Sequence, residues 1–179
     1  MGGAPLRPRE PVFPFWIEVE RMLREKYAQE VETILAKYPV RRSAVLPLLY
    51  LVQREYGYCT EEGIREVAEI TGVSPTEVRE VVGFYTLFYD HPIGRHLIQI
   101  CDDLPCALRG AEDLVAHATR RLGVRPGETT PDGRFTLETV MCIGACHRAP
   151  AMQVDLEFVE NVTPEVFDRI VEDLSRDGM

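Results

Sequence analysis

A chain of 179 residues that is 45% apolar is long enough to bury a core without covalent staples, so its five cysteines need an explanation other than a disulfide framework. The formal net charge of −9, with acidic residues spread along the sequence, disfavours a phosphate-neutralising surface and excludes nucleic acid as the expected partner. The longest apolar run, Ala44 to Val52, contains Pro47 and falls far short of the roughly 20 residues a membrane span requires, so no direct membrane insertion is expected.

Residues 1–15 read as a mobile Pro-rich arm, with Pro5, Pro8, Pro11 and Pro14 following Gly2 and Gly3. They lack the apolar centre and small-residue cleavage site of a secretory signal. A myristoylation signal would need Ser or Thr at position 6, where this chain has Leu6. The expected setting is therefore the reducing cytoplasm, where clustered cysteines bind metal or do redox work more often than they form structural disulfides.

Helices come first. Trp16 to Lys37 places Met22, Leu23, Tyr27, Val31, Ile34 and Leu35 at three- and four-residue intervals, and Tyr38-Pro39 ends it. A second helix is expected from about Ser43 to Tyr56, with Pro47 tolerated near its first turn and Gly57 as a stop. Thr60 is an N-cap for Glu61 to Thr71, which closes on Gly72. Ser74-Pro75-Thr76-Glu77 combines a capping serine, a proline at the first helical position and a glutamate at the third, and predicts a helix reaching Val81 or as far as Phe88. The aromatic run Phe84, Tyr85, Phe88 and Tyr89 reads as core or a partner contact in preference to a cofactor platform.

After His91-Pro92-Ile93-Gly94 the pattern changes, dividing a helical domain over 16–93 from an α/β domain over 94–179. Leu97 to Cys101 is a strand, Leu108 to Leu122 a helix closed by Gly123, and Phe135 to Met141 a second strand after the turn Pro131-Asp132-Gly133. Ala151 to Val154 and Phe158 to Val162 form a hairpin, and Thr163-Pro164-Glu165 caps a last helix reaching about Leu174. The fold class is α+β: an N-terminal helical bundle, then a small sandwich of helices on a short mixed sheet.

The chemistry lies in the spacing of Cys101, Cys106, Cys142 and Cys146: C-x4-C, 35 intervening residues, then C-x3-C. Both pairs fall at strand-to-loop junctions, so if the two strands are parallel neighbours the loops leave the same edge of the sheet. Cys106 is expected just before a helix over Ala107 to Leu122, whose free N–H groups and dipole would favour a thiolate. Gly144 and Ala145 allow backbone N–H groups to turn toward bridging sulfides. Spacing alone leaves open an iron-sulfur centre or a four-cysteine zinc site in an interaction module without redox role. A thioredoxin-type dithiol is disfavoured because neither pair is C-x-x-C, and the plant-type ferredoxin signature needs a cysteine where Arg109 stands.

Four motifs carry a resemblance: Cys101-x4-Cys106-x3-Gly110, Gly127-x-x-Thr130-Pro131-Asp132-Gly133, Cys142-Ile143-Gly144-Ala145-Cys146 followed by Ala149-Pro150, and Val162-Thr163-Pro164-Glu165. In their order and spacing, over roughly residues 28–176, the chain resembles the small 24 kDa-type iron-sulfur subunit of respiratory NADH:quinone oxidoreductase. Gamma-type subunits of NAD-linked hydrogenases and formate dehydrogenases are close relatives of that family. The resemblance implies a thioredoxin-like domain with one [2Fe-2S] cluster on Cys101, Cys106, Cys142 and Cys146. It also implies a larger iron-sulfur flavoprotein partner that binds FMN and NADH, further subunits of a parent complex, and membrane association only through those partners. Which of the three kinds of complex is the parent stays open.

The residues support that division of labour. No G-x-G-x-x-G, P-loop or other glycine-rich phosphate cradle occurs, so the chain reads as an oxidoreductase subunit without a complete active site of its own. Asp102 and Asp103 depart from the small hydroxyl residues often found after the family's first cysteine; they would disfavour an added electron, or else point into water and be screened. His147 reads as an exposed loop residue, with a supporting role beside Arg148 as the alternative to it, and not as a Rieske-type ligand. Cys59 has no counterpart among the four and is expected to be a small buried hydrophobe or a surface thiol.

Overall fold

The computed structural model describes residues 22–176. The expected arm over 1–15 and the start of the first expected helix lie outside the described residues. The described residues fall into two compact units, residues 22–53 with 59–88 and residues 54–58 with 89–176.

In the first unit the expected long helix is two: α1 (Met22–Glu25) and α2 (Ala28–Ala36), interrupted where Tyr27 adopts φ −115° and ψ 22°. The break has a geometric reason. Met22 and Val31 both enter the same core, yet nine residues at about 100° each would put them on opposite faces of one straight helix. A 3-10 turn over Arg41–Ala44 leads into α3 (Val45–Tyr56), with Pro47 inside its first turn as the sequence allows. α4 (Glu61–Thr71) is capped by the Thr60 hydroxyl, which accepts from the Gly63 N–H at 3.1 Å, and ends on Gly72 at φ +74°. α5 (Pro75–Phe84) begins with the full capping box of Ser74 and Glu77. Glu66 is a buried acid on α4 whose carboxylate accepts the Leu23 and Arg24 N–H groups at 3.0 and 2.9 Å.

The aromatic run divides. Phe88 and Tyr89 are buried, Phe88 with its ring 4.9 Å from Tyr50, whereas Phe84 is 77% exposed and Tyr85 is also exposed.

The second unit holds a five-stranded mixed sheet in the order β2-β3-β1-β4-β5. Its strands are β1 (His96–Cys101), β2 (Glu128–Thr129), β3 (Phe135–Val140), β4 (Met152–Val154) and β5 (Glu157–Val159). β1 and β3 run parallel, with Gln99 opposite Glu138 and Cys101 opposite Val140; the other pairings are antiparallel. The short β2 has no strand signal in the sequence, being a two-residue pairing beside the Pro131-Asp132-Gly133 turn. The β4–β5 hairpin turns through Asp155 and Leu156, both at positive φ, the backbone of a tight two-residue turn.

The remaining helices are α6 (Leu104–Ala107), α7 (Ala111–Leu122) and α8 (Pro164–Arg176). Ile98, Ile100, Leu137, Met152 and Val154 from the sheet pack with Leu114 and Ala118 of α7 and with Phe167 and Val171 of α8. That core fixes one face of the sheet and, through the two-residue period of a strand, sends Leu97, Gln99 and Cys101 to the other. No helix among the described residues is long and apolar enough to cross a membrane.

Candidate metal centre

The parallel pairing of β1 and β3 places the site. Both strands end at one edge of the sheet, in register, so the loops after Cys101 and Val140 leave side by side. Two hydrogen bonds hold this junction: the Asp102 N–H donates to the Val140 carbonyl at 3.0 Å, and the Cys101 thiol reaches the Met141 carbonyl at 3.5 Å. Cys142 then lies two residues beyond β3, exposed, and Cys146 starts a 3-10 turn over Cys146–Arg148.

The first loop differs from expectation in one respect. Cys106 does not precede a helix over Ala107 to Leu122; it sits inside the short helix α6, and α7 starts only at Ala111. The reason is local. Asp103 caps α6, its carboxylate accepting from the Leu104 N–H at 2.9 Å, and Gly110 at φ +94° ends the tight turn before α7 begins. The dipole of the long helix therefore does not act on Cys106 directly. Instead the Cys106 N–H donates to the Asp103 carbonyl at 2.9 Å.

Cys101 and Cys106 are buried and pack with Ala111, Ala145, Ala149 and Ala151, a wall of small side chains with Ile143 at its margin. Burial raises the Cys106 thiol pKa above its ordinary value; the Ala151 N–H opposes this, and hydrogen bonding to Cys101 with the charges of Cys101 and Cys146 adds to it. A cation that displaced the thiol protons would reverse the penalty between the sulfurs. Three of the four cysteines are thus brought within each other's influence, and Cys142 shares their sheet edge. No group of three or more His, Cys, Asp or Glu among the described residues is gathered about a single ion position.

Ala151 carries no signal in the sequence. Its carbonyl accepts from the Cys101 N–H at 3.1 Å while its N–H faces the Cys106 sulfur, so one residue braces both cysteines of the first loop. Only the adjoining Ala149-Pro150, a cis peptide bond, marks the place. The second loop is held in turn: the Asn161 N–H donates to the Arg148 carbonyl at 2.8 Å and the Val162 N–H to the Pro150 carbonyl at 2.9 Å. Gly144, at φ +79°, supplies the left-handed step between Cys142 and Cys146 that other residues adopt poorly.

His147 is exposed, with its Nε2 4.0 Å from Glu160, and Arg148 pairs with the same carboxylate at 3.2 Å. Asp102 and Asp103 are both exposed, and Asp103 is engaged as the α6 cap. Cys59 belongs to the other unit, where it is buried with its sulfur 4.0 Å from the Leu49 carbonyl.

A mixed sheet of this order with two cysteine-bearing loops at one edge, lined by small residues, defines a class: an α/β domain whose thiols could hold a metal centre. The donors fit a [2Fe-2S] centre, which takes four thiolates and accepts N–H groups at its sulfurs. The sequence profile of the thioredoxin-like [2Fe-2S] ferredoxin family matches residues 31–175, and the chain belongs to that family. It is 46% identical over 144 residues to a subunit of NADH-quinone oxidoreductase from Rhizobium meliloti, covering 80% of this chain and 86% of that one. It is also 46% identical over 136 residues to NADH-quinone oxidoreductase subunit 2 of Thermus thermophilus, covering 74% of this chain and 75% of that one. Among solved structures, an NAD+-reducing [NiFe]-hydrogenase in the air-oxidized state superposes with a TM-score of 0.66 at 20% identity, over 74% of this chain and 23% of that one. At that identity the likeness is one of fold.

Proposed function

We propose that this chain is an electron-transfer subunit of an NADH-oxidising complex of the NADH:quinone oxidoreductase type, holding one [2Fe-2S] cluster on Cys101, Cys106, Cys142 and Cys146. The observation that carries the reading is the convergence of the two cysteine loops on one edge of the β1–β3 pair in a chain of this family. When bound, the cluster supplies reversible one-electron chemistry. The chain's own part is to place four sulfurs, to cover Cys101 and Cys106 with the alanine wall, and to turn the Ala151 N–H toward the Cys106 sulfur. The oxidised form with four thiolates carries charge −2 and the reduced form −3, so protein dipoles and charges near the loops set where the electron rests.

The electron's source is the FMN of a larger partner flavoprotein that also binds NADH. The absence of a phosphate cradle in this sequence supports that assignment, as does membership of the relatives in NADH-quinone oxidoreductases. A parent complex that reduces quinone is favoured over a hydrogenase because the oxidoreductase relatives are 46% identical and the hydrogenase chain 20%.

The test is an anaerobic preparation of the full chain, with metal and sulfide analysis. Two irons and two acid-labile sulfides per chain, with a reddish-brown colour and an electron paramagnetic resonance signal on reduction, support the reading. A colourless protein holding one zinc overturns it in favour of a structural four-cysteine module. Co-purification with an FMN-containing chain tests the partner.

A further inference from the structure

We propose that Glu138 is a built-in negative charge that lowers the reduction potential of the cluster, a positioning role shared with Tyr89 and Gln99, and that rests on the cluster assignment above. The observation is a three-residue polar group on the face of the sheet opposite α7 and α8. Glu138 Oε2 accepts from the Tyr89 hydroxyl at 3.0 Å and from the Gln99 side-chain amide at 3.0 Å. The same amide lies 3.4 Å from the Tyr89 oxygen. Tyr89 and Gln99 are 7% and 5% exposed, so the carboxylate meets protein on the side that faces them.

Three features make this a charge site and not ordinary polar packing. Both donors to Oε2 are neutral, so they stabilise a carboxylate without cancelling its charge. The phenol cannot become a competing anion, because burial, and then the charge and hydrogen bond of Glu138, push the Tyr89 pKa well above the ordinary range. The sheet register sets the direction: Gln99 lies opposite Glu138, and the next residue on the same face of β1 is Cys101, about 7 Å further along the strand. Glu138 is half-buried, so solvent screens its charge less than it screens the charges of the exposed Asp102 and Asp103. The added electron of the reduced state is the charge it opposes.

The sequence shows none of this directly. Glu138 lies unmarked within the expected strand Phe135 to Met141, and Tyr89 reads as the end of an aromatic run. Only the parallel register of β1 against β3 brings them together behind the first cysteine.

The test is a redox titration of the cluster-loaded full chain, followed by electron paramagnetic resonance at mildly alkaline pH and in both low and high salt. Glu138→Gln keeps the shape and removes the charge; a midpoint shifted to more positive potential, with the gap to wild type retained in high salt, is expected. Glu138→Asp retains the charge and should stay closer to wild type than Glu138→Gln. An unchanged midpoint in Glu138→Gln, or equal shifts in both variants, overturns the proposal. Should Glu138→Gln fail to hold the cluster, Tyr89→Phe replaces it: loss of the hydroxyl leaves the carboxylate less compensated, a more negative midpoint is expected, and no shift overturns the proposal. Iron and sulfide content, measured first, separates this outcome from failure of the cluster assignment, which a wild-type chain without iron would show.

Discussion

Single side chains have unequal roles here, and the cysteines show it. Replacing Cys101, Cys106, Cys142 or Cys146 by alanine should in each case abolish the visible absorption of the iron-sulfur centre, because each variant removes one of the four proposed donors and supplies no oxygen or sulfur in its place. Cys59→Ser should leave absorption and iron content unchanged, since Cys59 is buried in the other unit's core. Bleaching by Cys59→Ser would sink the ligand assignment. Glu66 is a different case, an acid that works for the fold. Glu66→Ala leaves the buried Leu23 N–H and its neighbour without their acceptor, and should cost on the order of 1–3 kcal/mol. Urea unfolding measures it as a lower midpoint at unchanged slope; a midpoint equal to wild type would mean that water replaces the carboxylate.

At the level of elements, the chain before β1 approaches the backbone of β3 closely. Gly94 donates its N–H to the Thr136 hydroxyl at 2.6 Å, and a Cβ there would stand 2.7 Å from the Phe135 carbonyl carbon and 2.8 Å from the Thr136 nitrogen. Backbone cannot step aside as a side-chain tip can. Gly94→Ala should therefore destabilise by roughly 1–3 kcal/mol, read as a fall in the thermal midpoint, and a variant as stable as wild type would refute the close approach. Helix caps and stops were legible in the sequence because their signals are local: Thr60, Ser74-Pro75 and Gly72 each act within one turn. The break between α1 and α2 was not legible, since its cause is the position of a core that no short window contains. The start of α7 is hidden for a related reason, the Asp103 cap and Gly110 interrupting a helical pattern that is continuous in sequence. Cysteine spacing indicated which residues to join, whereas Ala151 and the Glu138 group emerge only from the pairing of strands distant in sequence.

Across the whole molecule the acidic balance has a consequence for stability against pH. Glu61 is held below its ordinary value of 4.5 chiefly by hydrogen bonding to Arg79, and Glu77 by the Ser74 N–H at the α5 cap. Asp132 is held below 3.8 by the Thr130 hydroxyl, and Glu165 below 4.5 by the Thr163 hydroxyl. A depressed carboxylate binds protons less readily folded than unfolded, so its stabilisation is complete above the unfolded value and is lost as pH falls through the folded one. Thermal midpoints should stay level near neutrality and drop below about pH 4.5, and Glu77→Gln, which removes the titrating group, should lessen that acid dependence. An acid limb equally steep in Glu77→Gln would discount the cap's share. The parallel pairing of β1 with β3 has a further consequence, in the order of folding. Cys101 and Cys142 are 41 positions apart, and parallel strands cannot meet until the whole crossover between them has formed. On the proposed assignment an emerging chain would offer iron only half a binding site until β3 has docked, so cluster capture would be a late event that reports a completed sheet.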